Sequence, residues 1–146
     1  MTYSKEPIQH LTALIKGDDA AREWLQSNNF PELILLHYAI DGNEQALIEL
    51  TKKKQVVLVA LTHAILDDKR AFNWLAESKN FTWAATVRVT YKDNNAEAWL
   101  MRNQLSHYAE LGRAIRKNEE GEQADDVFGL FKKFINIFKR GPYPKG

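Results

Sequence analysis

Ile15-Lys-Gly-Asp-Asp-Ala-Ala-Arg-Glu-Trp-Leu25 decides the fold, because the chain repeats its pattern about every 25 residues. The pattern is an aliphatic residue, a polar Gly/Asp/Asn turn, a small residue and then an apolar pair. It returns as Ile40-Asp-Gly-Asn-Glu-Gln-Ala-Leu-Ile-Glu-Leu50 and as Ile65-Leu-Asp-Asp-Lys-Arg-Ala-Phe-Asn-Trp-Leu75. A fourth copy, slipped by one residue, reads Tyr91-Lys-Asp-Asn-Asn-Ala-Glu-Ala-Trp-Leu100, and a weak fifth begins at Ile115-Arg-Lys-Asn-Glu. Self-similarity at a fixed period is the mark of stacked supersecondary units, each too small to bury its apolar face alone.

Each copy marks the junction of two short helices. Gly17 and Gly42 stand where a helix end needs a left-handed residue. Asp18, Asn43, Asp67 or Asp68, and Asn94 follow as N-caps of the next helix. Pro7 and Pro31 suit first helical turns, since the fixed φ is already helical and the missing N–H has no partner there. The reading is ten helices over roughly 7–16, 18–28, 31–41, 43–53, 55–66, 68–78, 81–92, 94–104, 106–117 and 122–139. The segments 33–40 and 56–66 are apolar nearly all round and predict helices enclosed by neighbours. The segment 68–78 has one stripe, Ala71, Phe72, Trp74 and Leu75, so the helices form two layers, one more enclosed than the other. Thr86-Val-Arg-Val-Thr-Tyr91 alternates and is β-branched, which locally favours a strand, and Val56-Val-Leu-Val59 does the same. The repeat frame aligns both with helical partners, so both are read as helix. The fold class is therefore all-α, with stacked antiparallel hairpins in one domain over 1–140 and a frayed tail at 141–146.

The turn aspartates Asp41, Asp67, Asp68 and Asp93, with Arg22 and Arg70 early in the helices that follow, resemble the α-solenoid class over residues 7–117, HEAT and armadillo repeats being the nearest named relatives. The unit here is about 25 residues against about 40 for a HEAT unit. The resemblance implies a curved stack that binds macromolecules along a surface, and it implies no catalytic residues.

Composition is that of an ordinary soluble domain: 146 residues, 45% apolar, 27% charged and a net charge of +1. So balanced a charge gives no global field for nucleic acid or anionic membrane. No cysteine is present, which removes disulfides, thiolate metal sites and a cysteine nucleophile. The N-terminus lacks a basic-then-apolar leader and the longest apolar run, Val56–Leu61, is too short for a bilayer, so a cytoplasmic protein is expected.

Several features invite a chemical reading. Trp24, Trp74 and Trp99 share one repeat step, as an aromatic ladder for peptides or bases would need, but Glu49 interrupts it. Leu25, Leu75 and Leu100 beside them favour the core instead. Asp18-Asp19, Asp67-Asp68 and Asp125-Asp126 are paired carboxylates, yet adjacent helical positions diverge by about 100° and do not converge on a ligand. Two of the pairs sit where acids complement helix dipoles. His10, His37, His63 and His107 have no metal-ligand spacing. No phosphate-binding glycine loop or nucleophile elbow is present. No catalytic, cofactor or metal residue is assigned.

The C-terminal segment divides cleanly. Val127, Phe128, Leu130, Phe131, Phe134, Ile135, Ile137 and Phe138 fill one half of a helical wheel, and Lys132, Lys133, Lys139 and Arg140 lie on the other. Such a helix can cap the last hairpin or lie on an anionic membrane. The capping role is favoured. The expected function is a non-catalytic interaction module for a protein or peptide partner. Arg22, Lys69, Arg70, Glu97, Lys132, Lys133, Lys139 and Arg140 are its candidate contact residues. An enzyme or nucleic-acid-processing protein with a site assembled across repeats is the second reading, membrane association through 127–140 the third. An open stack also leaves apolar flanks through which it can dimerise.

Overall fold

The computed structural model describes residues 2–121, and the segment 122–139 with Lys132, Lys133, Lys139 and Arg140, the Asp125-Asp126 pair and the tail 141–146 lie outside the described residues. The described residues form nine helices and no strand. They are α1 (Lys5–Ile15), α2 (Asp19–Ser27), α3 (Pro31–Ile40), α4 (Glu44–Lys52), α5 (Val56–Ile65), α6 (Lys69–Glu77), α7 (Phe81–Thr90), α8 (Asn94–Arg102) and α9 (Ser106–Gly121).

One turn geometry joins them all. Each of the eight junctions holds one left-handed residue, with φ from 59 to 101°: Gly17, Asn29, Gly42, Lys54, Asp67, Lys79, Lys92 and Gln104. The residue after it returns its N–H to the carbonyl five positions back, at 2.8–3.1 Å, as in Asp18 to Ala13 and Leu105 to Leu100. This is the Schellman closure, which satisfies helix-end carbonyls and reverses the chain in three residues. The turns that enter α2, α4, α6 and α8 add a side-chain cap from Asp18, Asn43, Asp68 and Asp93. The cap of α8 is thus Asp93 and not Asn94, which is the first residue of the helix itself. The fourth copy is accordingly in register with the others, and Thr90 takes the place of the isoleucine, its hydroxyl bonded to the Val87 carbonyl. The turns that enter α3, α5 and α7 carry no side-chain cap.

The fifth copy makes no turn. α9 runs through Ile115 to Gly121, where residues 106–117 had been expected as a separate helix. Arg116, Lys117, Glu119 and Glu120 are good helix formers, and Lys117 does not take the left-handed conformation that Lys92 takes one repeat earlier.

Packing follows the repeat. Ile8, Leu33, Leu58, Trp83 and Tyr108 are spaced 25 residues apart, and all are 0% exposed. So are Leu11, Leu36, Leu61, Thr86 and Leu111, one turn further along the same helices, and Leu25, Leu50, Leu75 and Leu100 on the even helices. Each odd helix packs on the next odd helix, and α9 packs on α1. Each even helix packs on the two odd helices that flank it in sequence. The five odd helices therefore complete an inner circuit, and the four even helices lie outside it. The two flanks that an open row would leave bare cover each other.

Gly112 sets the approach of α9 to α7. A Cβ there would lie 2.8 Å from the Cβ of Val89 and 3.0 Å from the Thr86 carbonyl oxygen. α7 itself contains the β-branched run, and it is a helix because it is enclosed: Thr86, Val87, Val89 and Thr90 are all buried, so alternation selects no face. The buried threonines bond within their own helix, Thr86 to the Thr82 carbonyl at 2.8 Å and Thr62 to that of Leu58 at 2.9 Å. No helix among the described residues is long and apolar enough to cross a membrane.

Candidate functional site

The ends of α5 and α7 and the start of α6 enclose a cleft of about 230 Å³ lined by Ala64, Asp67, Asp68, Lys69, Phe72, Val87, Arg88 and Tyr91. The repeat makes it. Short reversing turns bring the C-terminus of each odd helix beside the N-terminus of the next even one, and two successive turns form the walls. Tyr91 stands at the position that Leu66 and Asp41 hold one and two repeats earlier. It remains half exposed, with its hydroxyl donating to the Ile65 carbonyl at 2.8 Å, one of the orphan acceptors at the end of α5.

Arg88 crosses the opening. Its Nε donates to Asp93 Oδ2 at 2.9 Å, and its guanidinium carbon lies 5.8 Å from the centre of the Phe72 ring. The Arg88 hydrogen bond, with the cap bonds from Ala96 and Asn95, holds the Asp93 carboxyl below the usual carboxylate range. On the opposite wall Asp68 Oδ1 accepts from the backbone of Arg70 and Ala71 at 3.0 and 3.4 Å. Its other oxygen, Oδ2, is buried without a hydrogen-bond partner among the described residues. His63 lies buried behind this wall. Burial holds its imidazole down to about 4, against the pull of the Asp68 charge, so it is neutral at pH 7.

The candidate contact residues are dispersed. Lys69 lines the cleft and Arg70 lies next to it, its Nε 3.9 Å from Asp68 Oδ1. Arg22 belongs to the first hairpin, where it pairs with Asp19 at 3.4 Å and lies 5.7 Å from the Tyr38 ring centre, tying α2 to α3. Glu97 forms an ion pair with Arg113, tying α8 to α9. Arg22 and Glu97 thus serve inter-helix contacts, which at such exposure contribute about 0–1 kcal/mol each. Neither faces the cleft.

The remaining features take structural positions. Trp83 is fully buried, while Trp24, Trp74 and Trp99 are half-buried against the core. Trp24 is sandwiched between His10, at 3.9 Å between centroids, and Phe30 at 6.0 Å. Asp18 and Asp68 are caps and Asp67 is the left-handed turn residue, so neither pair converges on a ligand. Burial and the nearby Lys5 lower the His107 pKa, and His37 lies 3.7 Å from Asp41. No group of three metal-ligating side chains comes together among the described residues.

Sequence reasoning passed over Phe72, Arg88 and Tyr91 as site residues. Phe72 reads as core stripe, and Arg88 sits in the β-branched run. Tyr91 carried a usable signal: it places a large polar aromatic where the other copies have Asp41 or Leu66. Neither the protein-family models, the curated proteins nor the solved structures contain a match to this chain.

Proposed function

We propose that the protein is a non-catalytic helical-repeat interaction module of the HEAT and armadillo kind, acting in the cytoplasm, and that it seats a side chain of a protein or peptide partner in the Tyr91 cleft. The observation that carries this reading is the cleft's make-up. Tyr and Arg are the residues that dominate binding energy at protein interfaces. Tyr91 and Arg88 are here already held in place, by Ile65 and by Asp93 and Phe72, so little side-chain entropy is lost when a partner binds. The volume, about 230 Å³, is below the roughly 300–1,000 Å³ of cofactor and small-molecule sites and suits one side chain. Phe72 and Val87 contribute apolar lining, with Lys69 and Asp67 among the polar lining groups.

The test is selection of peptides from a displayed random library on the folded protein. Binding of the selected peptides should weaken at least about tenfold in Tyr91→Ala and in Lys69→Glu, with the melting temperature nearly unchanged. Peptides that bind both variants as tightly as the parent would remove the cleft from the reading.

A further inference from the structure

At the end of the circuit opposite the Tyr91 cleft lies a side chain that precedes the first repeat. Tyr3 precedes α1, outside any helix, and bonds to the starts of α3 and α9. Its ring meets Phe30 edge-on at 5.9 Å and Trp83 edge-on at 6.2 Å, and Trp83 in turn meets Tyr108 at 5.1 Å. Its hydroxyl donates to Glu32 Oε2 at 2.9 Å. The Tyr108 hydroxyl accepts from the Tyr3 N–H at 2.7 Å and donates to the Tyr3 carbonyl at 3.2 Å, so one phenol reads both polar groups of one peptide residue.

We propose that this end is a docking socket for a tyrosine carried on an extended peptide, and that residues 2–4 of this chain fill it in cis. Three observations converge on it. The walls come from Phe30, Glu32, Trp83 and Tyr108, which sit on the turn before α3 and on α3, α7 and α9. The contacts together define a ligand: an aromatic ring, a terminal hydroxyl donor matched to a carboxylate, and one backbone N–H and C=O. The strap is also separable from the fold. Ser4, the N-cap of α1, makes no side-chain cap bond, so residues 2–4 can leave without removing a cap from the helix. When they leave, the fully buried Trp83 and Tyr108 lose their contacts with Tyr3, and an exposed apolar patch marks a site of interaction. Tethering makes the cis peptide the default occupant through its high effective concentration. The socket lies at the other end of the molecule from the cleft, and the two assignments stand or fall separately.

The experiment uses the full chain carrying Tyr3→Ala, labelled with ¹⁵N and titrated with N-acetyl-tyrosinamide while the indole N–H resonance of Trp83 is followed. N-acetyl-phenylalaninamide is the control ligand and the unsubstituted protein the control receptor. A saturable shift of the Trp83 signal in Tyr3→Ala is expected, with the phenylalanine amide roughly tenfold weaker for want of the bond to Glu32. The unsubstituted protein should show no shift at the same concentrations. A folded Tyr3→Ala that gives no saturable shift overturns the proposal. So does equal binding by variant and parent, which places the ligand elsewhere, and so does equal affinity for the two amides. Should Tyr3→Ala not fold, Tyr3→Leu leaves a weaker occupant with no donor for Glu32, which N-acetyl-tyrosinamide should displace at higher concentration, and a Trp83 signal that stays unmoved there overturns the proposal.

Discussion

Lys79 holds a long side chain at φ 65°, and Lys54 at 59°, in a region that costs an L-residue about 1–2 kcal/mol. The Schellman bonds around them, Asn80 to the Leu75 carbonyl and Gln55 to that of Leu50, keep the backbone there regardless. Lys79→Gly should therefore stabilise the protein by about 0.5–1 kcal/mol, after the added freedom of the unfolded chain is subtracted. Gly17→Ala, at φ 101°, should lose about 1 kcal/mol, and urea unfolding of the two variants checks both signs. His63 makes a second residue-scale prediction. Its pKa is 6.5 in the unfolded chain and about 4 in the folded one. As pH falls below 6.5 the unfolded state takes up a proton that the folded state does not, so stability is lost between pH 6.5 and 4. The loss from this group is about 2 kcal/mol by pH 5. His107, also lowered, acts in the same direction. Denaturant midpoints measured from pH 7.5 to 5 should show the decline in the parent, and His63→Gln should flatten most of it.

Among the elements, α7 and α9 pack closely, and Gly112 is what permits it. Gly112→Ala places a methyl 2.8 Å from Val89 Cβ, which sits on a buried helix and cannot swing aside. A loss of about 1–3 kcal/mol is expected, read from the urea midpoint at unchanged slope. Helix boundaries were largely legible in the sequence. The turns after α1, α3 and α5 announce themselves through Gly17, Gly42 and Asp67-Asp68, residue types with a local reason to be there. The turns at Lys54, Lys79 and Gln104 have no such residue, yet the apolar spacing on both sides locates them. The register slip read at Tyr91 arose from anchoring on an apolar residue. The backbone instead repeats its cap, Asp68 then Asp93, and tolerates Thr90 because its hydroxyl is satisfied within the helix. The cleft was half legible: Lys69 was one of the unranked contact candidates, whereas the Arg88, Phe72 and Tyr91 contacts join two repeats and have no signature within one.

At the scale of the molecule, what the repeat could not disclose is closure. A 25-residue period specifies that neighbours stack, but the small rotation per hairpin decides whether a row stays open or returns to its start. Here α9 returns to α1, and Tyr3 bonds to Tyr108 across 105 residues of sequence. A closed circuit offers its turns at two ends rather than one continuous concave face, which is why the cleft and the Tyr3 socket lie at opposite ends. The absence of cysteine allows closure to be measured directly. Gln9 on α1 and Glu110 on α9 are both exposed and can be replaced by cysteine and spin-labelled. Helices in contact lie about 8–10 Å apart, so pulsed electron resonance on a closed circuit should give one narrow distribution centred below about 25 Å, label arms included. An open row of five hairpins separates the same sites by four such steps, and a distribution centred beyond about 35 Å would contradict the closed fold.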